Sequence, residues 1–312
     1  MKRVLLTGGT GFVGANLARR MLCDGNEVHL LVRNEYNPWR IRRISGDIQI
    51  HALDFQSSES VNSIVAKIKP DWIFHLATYG AYSSQQDVDT IYKTNLFGTI
   101  NLVNACCKTG FESFVNTGSS SEYGLKSNAP SEDEILKPNS NYAIAKAAAT
   151  HFCQYTAHKH QLNIPTIRLY SVYGPYEESS RLIPSLVRYG FMGNLPTLVD
   201  PKISRDFVYI DDVCDAFILA AKMTSKCYGE IFNVGTGIQT TLEDLVALTR
   251  RLLNIGKIPD WGSMPNRMWD TKNWQANIKN IQSQLGWSPR YDLESGLTET
   301  IKWYRDNPDA LN

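Results

Sequence analysis

Three side chains in this 312-residue sequence have the types and spacing to move a proton on and off a substrate oxygen. Tyr142 and Lys146 stand four residues apart in "NYAIAKAAAT", so a helix there presents both on one face. A phenol titrates near pH 10 in water, and a neighbouring ammonium favours its phenolate. That makes Tyr142 a usable acid or base at neutral pH. Ser119, in "GSSSEYG" (Gly118 to Gly124), follows an apolar run and is suited to hydrogen-bond the same oxygen.

A second pattern points to an anion. In "LLTGGTGFVG" the glycines Gly8, Gly11 and Gly14 fall three apart, just after Val4-Leu5-Leu6. Small residues there let the backbone approach a pyrophosphate, whose charge is favoured by the free amides and dipole of a helix starting near Phe12. A plain strand-to-helix turn would look the same, so the decision falls to the next strand. "EVHLLVRN" ends in Arg33, where a chain preferring NAD usually has a carboxylate. A guanidinium offers paired donors to a ribose phosphate instead, with Arg40, Arg42 and Arg43 close behind. The expected cofactor is NADP(H) rather than NAD(H).

The elements that must position these residues alternate. "RVLLT", "EVHLLV", "IQIHAL", "DWIFHLA", "SFVNTGS" and "IPTIRLY" read as strands, and Gly14 to Asp24 and Ile91 to Thr109 as amphipathic helices. Continuous apolar strands between helices predict an α/β fold, a doubly wound parallel sheet covered on both faces. Near Tyr170 the rhythm breaks into Pro-, Gly- and Ser-rich stretches. Residues 1–170 are expected to form the cofactor domain. Residues 171–312 are expected to form a smaller substrate-binding lobe, with some segments returning to the first domain and a helix over Leu242 to Leu253.

Composition excludes several classes. Thirty-two basic residues against 31 acidic ones give a formal charge of +1, so nothing recommends nucleic acid or an anionic membrane as partner. Val4-Leu5-Leu6 is too short for a signal-peptide core, and no apolar stretch approaches the roughly 20 residues of a membrane span. Six cysteines, Cys227 among them, form no Cys-x-x-Cys pair and read as reduced thiols, with no metal expected. The expectation is a soluble, cytoplasmic protein.

Taken together these stretches resemble the extended short-chain dehydrogenase/reductase family, in its nucleotide-sugar branch. The likeness runs along nearly the whole chain. It includes "TGGTGFVG", "HALDF", "HLAT", "NLFGTINLV", "GSSSEYG", Tyr142 with Lys146, "RLYSVYGP", "SRDFVYIDDV", "FNVGTG" and "LGWSP". The resemblance implies a Rossmann-like fold in which Asp54 meets adenine, Leu76 and Ala77 line the cofactor, and Lys146 also binds the nicotinamide ribose. It places Thr10, Phe12, Val13, Phe55, Thr78, Asn95 and Thr117 in the same cofactor site. It implies a nucleotide-diphosphate sugar as substrate, gripped at the diphosphate by Arg205 and Arg267, with Ser120, Ser121 and Ser171 near the sugar. Members often pair through the helices near 91–107 and 142–160, so a homodimer is expected.

The family's reactions share hydride exchange at a sugar carbon and then diverge. Its 4,6-dehydratases carry an acid and a base directly after the Ser/Thr, where this chain has Ser120 and Ser121, with Glu122 one place further on. A serine hydroxyl cannot exchange a proton at neutral pH as a carboxylate does, which disfavours dehydration. Arg33 and "GSSSEYG" favour NADPH-dependent reduction of the C4 ketone of a nucleotide-linked 4-keto-6-deoxy sugar. An NAD-dependent 4-epimerase is the alternative. A non-catalytic NADP(H)-binding regulator is more remote, because the chain keeps Ser119, Tyr142 and Lys146. Ser171 stands where relatives often have a substrate-touching Asn, which leaves the sugar and nucleotide base open.

Overall fold

The computed structural model describes residues 1–126, 128–223, 228–265 and 272–311. In chain order the strands and α-helices of its first stretch are β1 (Arg3–Thr7), α1 (Phe12–Cys23), β2 (Glu27–Val32), β3 (Ile48–Ala52), α2 (Ser58–Ile68) and β4 (Trp72–His75). They continue as α3 (Val88–Tyr92), α4 (Gly98–Thr109), β5 (Ser113–Ser119), α5 (Asn141–His160) and β6 (Thr166–Leu169). Then come β7 (Ser171–Tyr173), α6 (Leu182–Phe191), β8 (Ser204–Arg205), β9 (Phe207–Tyr209), α7 (Ile210–Ala221) and β10 (Ile231–Val234). The chain finishes with β11 (Thr240–Thr241), α8 (Leu242–Leu253), α9 (Lys279–Leu285) and α10 (Leu293–Asp306).

Seven strands form one parallel sheet in the order β10-β6-β5-β4-β1-β2-β3. Both faces are covered, so the strands read as unbroken apolar runs: Val4, Leu5, Leu6, Ile73 and Phe74 are all wholly buried. A core of Leu5, Val61, Val65, Ile73, Leu102, Val103 and Phe114 packs helices onto one face. The order reverses between β1 and β4, and the crevice outside such a reversal is where this architecture receives ligands. The six strands named from the sequence are all present; β10 is a strand that the pattern did not announce.

The chain divides into two units. The first holds Met1–Gly124, Ile135–Leu169 and Cys214–Phe232; the second holds Leu125–Glu134, Tyr170–Val213 and Asn233–Asn312. Within the second, β7 pairs with β9 in parallel and β11 with β8 in antiparallel fashion. Its core is aromatic: Tyr173 packs edge-on against Phe207 and Tyr209. A Cβ on Gly296 would collide with the Tyr173 hydroxyl.

The helix expected over Ile91 to Thr109 is broken. α3 ends at Tyr92, a π-helical turn follows over Lys93–Phe97, and α4 starts at Gly98. The cause is Asn95, which is wholly buried and tied to a neighbouring loop. Its Oδ1 accepts from the Tyr79 N–H (2.9 Å) and its Nδ2 donates to the Tyr79 carbonyl (2.7 Å). Such turns recur at functional sites. No helix among the described residues is long and apolar enough to cross a membrane.

Candidate active site

β1 ends at Thr7 and the chain turns through Gly8, whose φ is +69°. A Cβ there would stand 2.6 Å from the Leu76 carbonyl carbon and 2.7 Å from the Ala77 nitrogen. The turn closes with the Gly11 N–H donating to the Gly8 carbonyl at 2.9 Å, and a Cβ on Gly14 would collide with that same carbonyl. Gly11 then caps α1 without a side-chain acceptor, so the first amides of the helix, at Phe12, Val13 and Gly14, have no intrahelical partner. Thr10, Phe12 and Val13 are half-buried around it. A buried hydroxyl oxygen, Thr117 Oγ1 at the end of β5, also has no hydrogen-bond partner among the described residues. The cradle and the orphaned hydroxyl fit a dinucleotide held by Gly8, Gly11, Gly14, Leu76, Ala77 and Thr117.

His75 builds the floor of that turn, a role the sequence reading missed. The Thr99 hydroxyl donates to the Asn95 carbonyl (2.8 Å) and therefore accepts from His75 Nε2–H (2.8 Å). His75 Nδ1 in turn accepts from the Thr7 hydroxyl (2.7 Å), whose oxygen accepts the Ala77 N–H (3.0 Å). One neutral tautomer satisfies every member. Burial, with nearby Lys146 adding to it, pushes the imidazole down to about 3. The unfolded chain therefore takes up this proton near pH 6.5, and the folded chain only near 3. Stability from this site is complete above about pH 6.5 and is lost as pH falls toward 3, by about 1.4 kcal/mol per pH unit. Urea unfolding between pH 7 and 5 is expected to show that slope. His75→Gln, which cannot titrate, should reduce the slope by the share of His75 and leave that of His29 and His51, whose pKa values burial also lowers.

Ser119 ends β5 in extended conformation, and its Oγ accepts from the Ser121 N–H at 3.2 Å within the 3₁₀ turn of Ser120–Tyr123. α5 packs against β5 and that turn. Ser140 caps α5 by accepting from the Ala143 N–H, which fixes Tyr142 in the first turn and Lys146 one turn on. Lys146 is 3% exposed; burial lowers its pKa, with Glu122 acting in the opposite direction. Tyr142 is half-buried and faces Gly80, where a Cβ would be 3.4 Å from its Cδ2. The loop that carries Gly80 is the one Asn95 holds, with Thr78 Oγ1 donating to Asn95 Oδ1 (3.1 Å). Asn95 thus shapes the site from inside this loop.

Glu122 has a different station from the one its place in "GSSSEYG" suggests. It is wholly buried. Its Oε1 accepts from the Ser119 N–H (2.8 Å) and the Thr150 hydroxyl (3.2 Å), while Oε2 accepts from Arg168 Nε (2.9 Å). Arg168, also buried, donates to the Tyr123 hydroxyl (2.8 Å) as well. A carboxylate so enclosed cannot meet a substrate.

Arg33 follows the last residue of β2 and is exposed, as are Arg42 and Arg43. Arg40 is not presented in this way: it is 7% exposed, with its guanidinium over the Trp39 ring. Asp54 is exposed and its Oδ1 accepts from the Gln56 N–H (2.9 Å). Phe55 packs against the sheet core.

In the second unit Ser171 opens β7, which pairs with β9, and its N–H donates to the Asp206 carbonyl (3.0 Å), while Arg205 ends β8, which pairs with β11. The Arg205 guanidinium lies over Trp274, 5.6 Å from its ring centre. Asp206, which the sequence reading passed over, fastens this corner. Its carboxylate accepts from the backbone N–H groups of Thr236, Gly237 and Ala276 and from the Thr236 hydroxyl. Arg267 and Cys227 lie outside the described residues.

The profile of the NAD dependent epimerase/dehydratase family matches residues 4–235, spanning the glycine turn, Ser119, Tyr142 and Lys146. The chain belongs to that family. A UDP-glucose 4-epimerase of Mycolicibacterium smegmatis is 28% identical over 97% of this chain and 99% of its own length. A dTDP-glucose 4,6-dehydratase of Streptomyces griseus is 27% identical over 96% and 93%. The solved complex of Thermus thermophilus UDP-glucose 4-epimerase with NAD is 26% identical, with a TM-score of 0.85 over 97% of this chain and 99% of that one. The expected kinship with nucleotide-sugar enzymes holds, and with it the Rossmann-like sheet.

Proposed function

We propose that this family member exchanges hydride at C4 of a nucleoside-diphosphate sugar and leaves the sugar undehydrated. The observation that carries the second half is Glu122: the one acidic side chain of "GSSSEYG" is enclosed by Ser119, Thr150 and Arg168. Ser120 and Ser121 are hydroxyls without its chemistry. The similar 4-epimerases favour epimerisation as the completion of the reaction, ahead of the ketone reduction expected from sequence. Reduction with NADPH keeps one specific support, the exposed Arg33 where a ribose-binding carboxylate would favour NAD.

The chain's own residues divide the work. A nicotinamide supplies or accepts the hydride when bound. Tyr142 takes the proton from the sugar O4 during oxidation and returns it during reduction. Ser119 holds that oxygen, and Lys146 favours the phenolate and orients the ribose. Arg205 gives the diphosphate a planar pair of donors, so that positioning contributes much of the rate.

The deciding experiment offers the purified protein UDP-glucose and related nucleotide sugars without added cofactor. In parallel it offers NADPH with nucleotide-linked 4-keto-6-deoxy sugars. Interconversion of C4 epimers in the first arm supports the epimerase. Stoichiometric NADPH loss in the second supports the reductase, and a 4-keto-6-deoxy product from the first arm overturns both.

The same reading includes a homodimer through the helices of the first unit. Phe97 (55% exposed), Ile144 (43%) and Tyr155 (62%) place apolar side chains on the π-helical turn ahead of α4 and on α5, which such a pairing would cover. Sedimentation is expected to give twice the chain mass, and Ile144→Arg half of it; a monomeric wild type rejects the pairing.

A further inference from the structure

We infer that Trp274 is a positioning residue for Arg205: its indole face fixes the guanidinium where a nucleoside diphosphate meets it and leaves the positive charge intact. The inference rests on the reading of Arg205 as the donor to the diphosphate.

Arg205 ends a strand of two residues, and two contacts hold its side chain. An Nη1 N–H donates to the Ser204 carbonyl (2.8 Å), and the guanidinium carbon stands over the Trp274 ring, 5.6 Å from its centre. A cation within about 6 Å of an indole face is attracted by the ring quadrupole. The ring carries no net charge, so the guanidinium keeps its own for an anion. A carboxylate in the same place would compete with the diphosphate for it.

Trp274 is itself fastened. Gln239 accepts from its backbone N–H (3.1 Å) and donates to the Lys272 carbonyl (2.9 Å). Gln275 Nε2 donates to the Gly237 carbonyl (2.6 Å), and the Ala276 N–H to Asp206 Oδ2 (2.9 Å). Gly235 permits this close approach, since a Cβ there would be 2.7 Å from the Ala276 Cβ. The Tyr170 ring meets the indole edge-on, 6.4 Å between centres. Asp206 is the residue after Arg205, so the arginine and the segment that carries its aromatic partner share one frame. A long cationic side chain gives up rotamer freedom when it meets its ligand, and one already fixed has less to give up. Trp274 thus contributes affinity for the diphosphate without touching it.

The test measures binding of UDP, dTDP and GDP to the full chain by calorimetry, and follows whichever binds wild type most tightly. Trp274→Leu removes the π face and keeps apolar bulk; Trp274→Met does the same with an unbranched side chain, should the first fail to fold. Each is expected to weaken binding about fivefold, and Trp274→Phe, which keeps a smaller π face, about twofold. Arg205→Met is expected to weaken it about thirtyfold. The deciding arm is Arg205→Met/Trp274→Leu, which should bind within twofold of Arg205→Met, because an aromatic face that acts through Arg205 has nothing left to position. A further fivefold loss in that background overturns the proposal and marks plain packing, as does wild-type affinity in the folded Leu or Met variant. The underlying reading fails separately, if Arg205→Met binds as wild type does or if wild type holds none of the three nucleotides.

Discussion

Tyr142→Phe is expected to lower turnover by about 10²–10⁴-fold, the range that a positioned acid or base contributes, with NAD(H) binding nearly unchanged. The substitution removes one oxygen from a half-buried ring on the first turn of α5 and leaves the ring itself in place beside Gly80. Lys146 remains in place, because its position is set by the helix and by burial. The loss should fall on kcat, since in the proposed reaction the phenol acts only while the C4 oxygen gains or loses its proton. Single-turnover rates with quenching of intrinsic fluorescence by the cofactor separate the two quantities. Turnover within tenfold of wild type would remove Tyr142 from the mechanism in either the epimerising or the reducing direction.

Arg168→Met is expected to destabilise the protein by about 3–5 kcal/mol, the cost of leaving one member of a buried ion pair without its partner. The pair is as enclosed as such a pair can be, with side chains 1% and 0% exposed. Removing the guanidinium leaves Glu122 with the Ser119 N–H and the Thr150 hydroxyl as donors. Those two hydrogen bonds cannot replace a full charge. Glu122→Gln/Arg168→Met should recover much of the loss, because a neutral pair of similar volume is tolerated far better than half of an ionic one. Urea titration of the three proteins checks this. A double variant no more stable than Arg168→Met would mean that packing of the long side chains, and not charge, is what matters.

How much of this was legible beforehand depends on range. The glycine turn, the strands before it and after it, and the Tyr142–Lys146 spacing are local patterns, and each appears where its residues demand. The partner of Glu122 is 46 residues away, and no periodicity encodes that distance. A signal existed nonetheless: "IPTIRLY" sets an arginine inside an apolar strand, where it must find an acceptor, and "GSSSEYG" offers a carboxylate. His75 was equally visible in "HLAT", yet only the three-dimensional chain from Thr7 to Thr99 shows which tautomer it holds. The break at Lys93–Phe97 was hidden because apolar spacing continues through a π turn. What defeats it is the side chain of Asn95, and its tie to Tyr79 is tertiary.

The interleaving of the two units governs how the chain matures during synthesis. The polypeptide passes from one unit to the other after Gly124, Glu134, Leu169, Val213 and Phe232, so neither is a contiguous stretch that a ribosome can finish and release. The strand that borders β6, β10, emerges more than sixty residues after it. Until then a nascent chain exposes an unpaired parallel edge, the kind of surface that holding chaperones cover and that aggregates otherwise. A fragment cut at residue 170 would carry that defect permanently. Division of this protein for expression or fusion therefore has to respect its order of assembly, in which the first unit becomes whole only after Phe232 has been made.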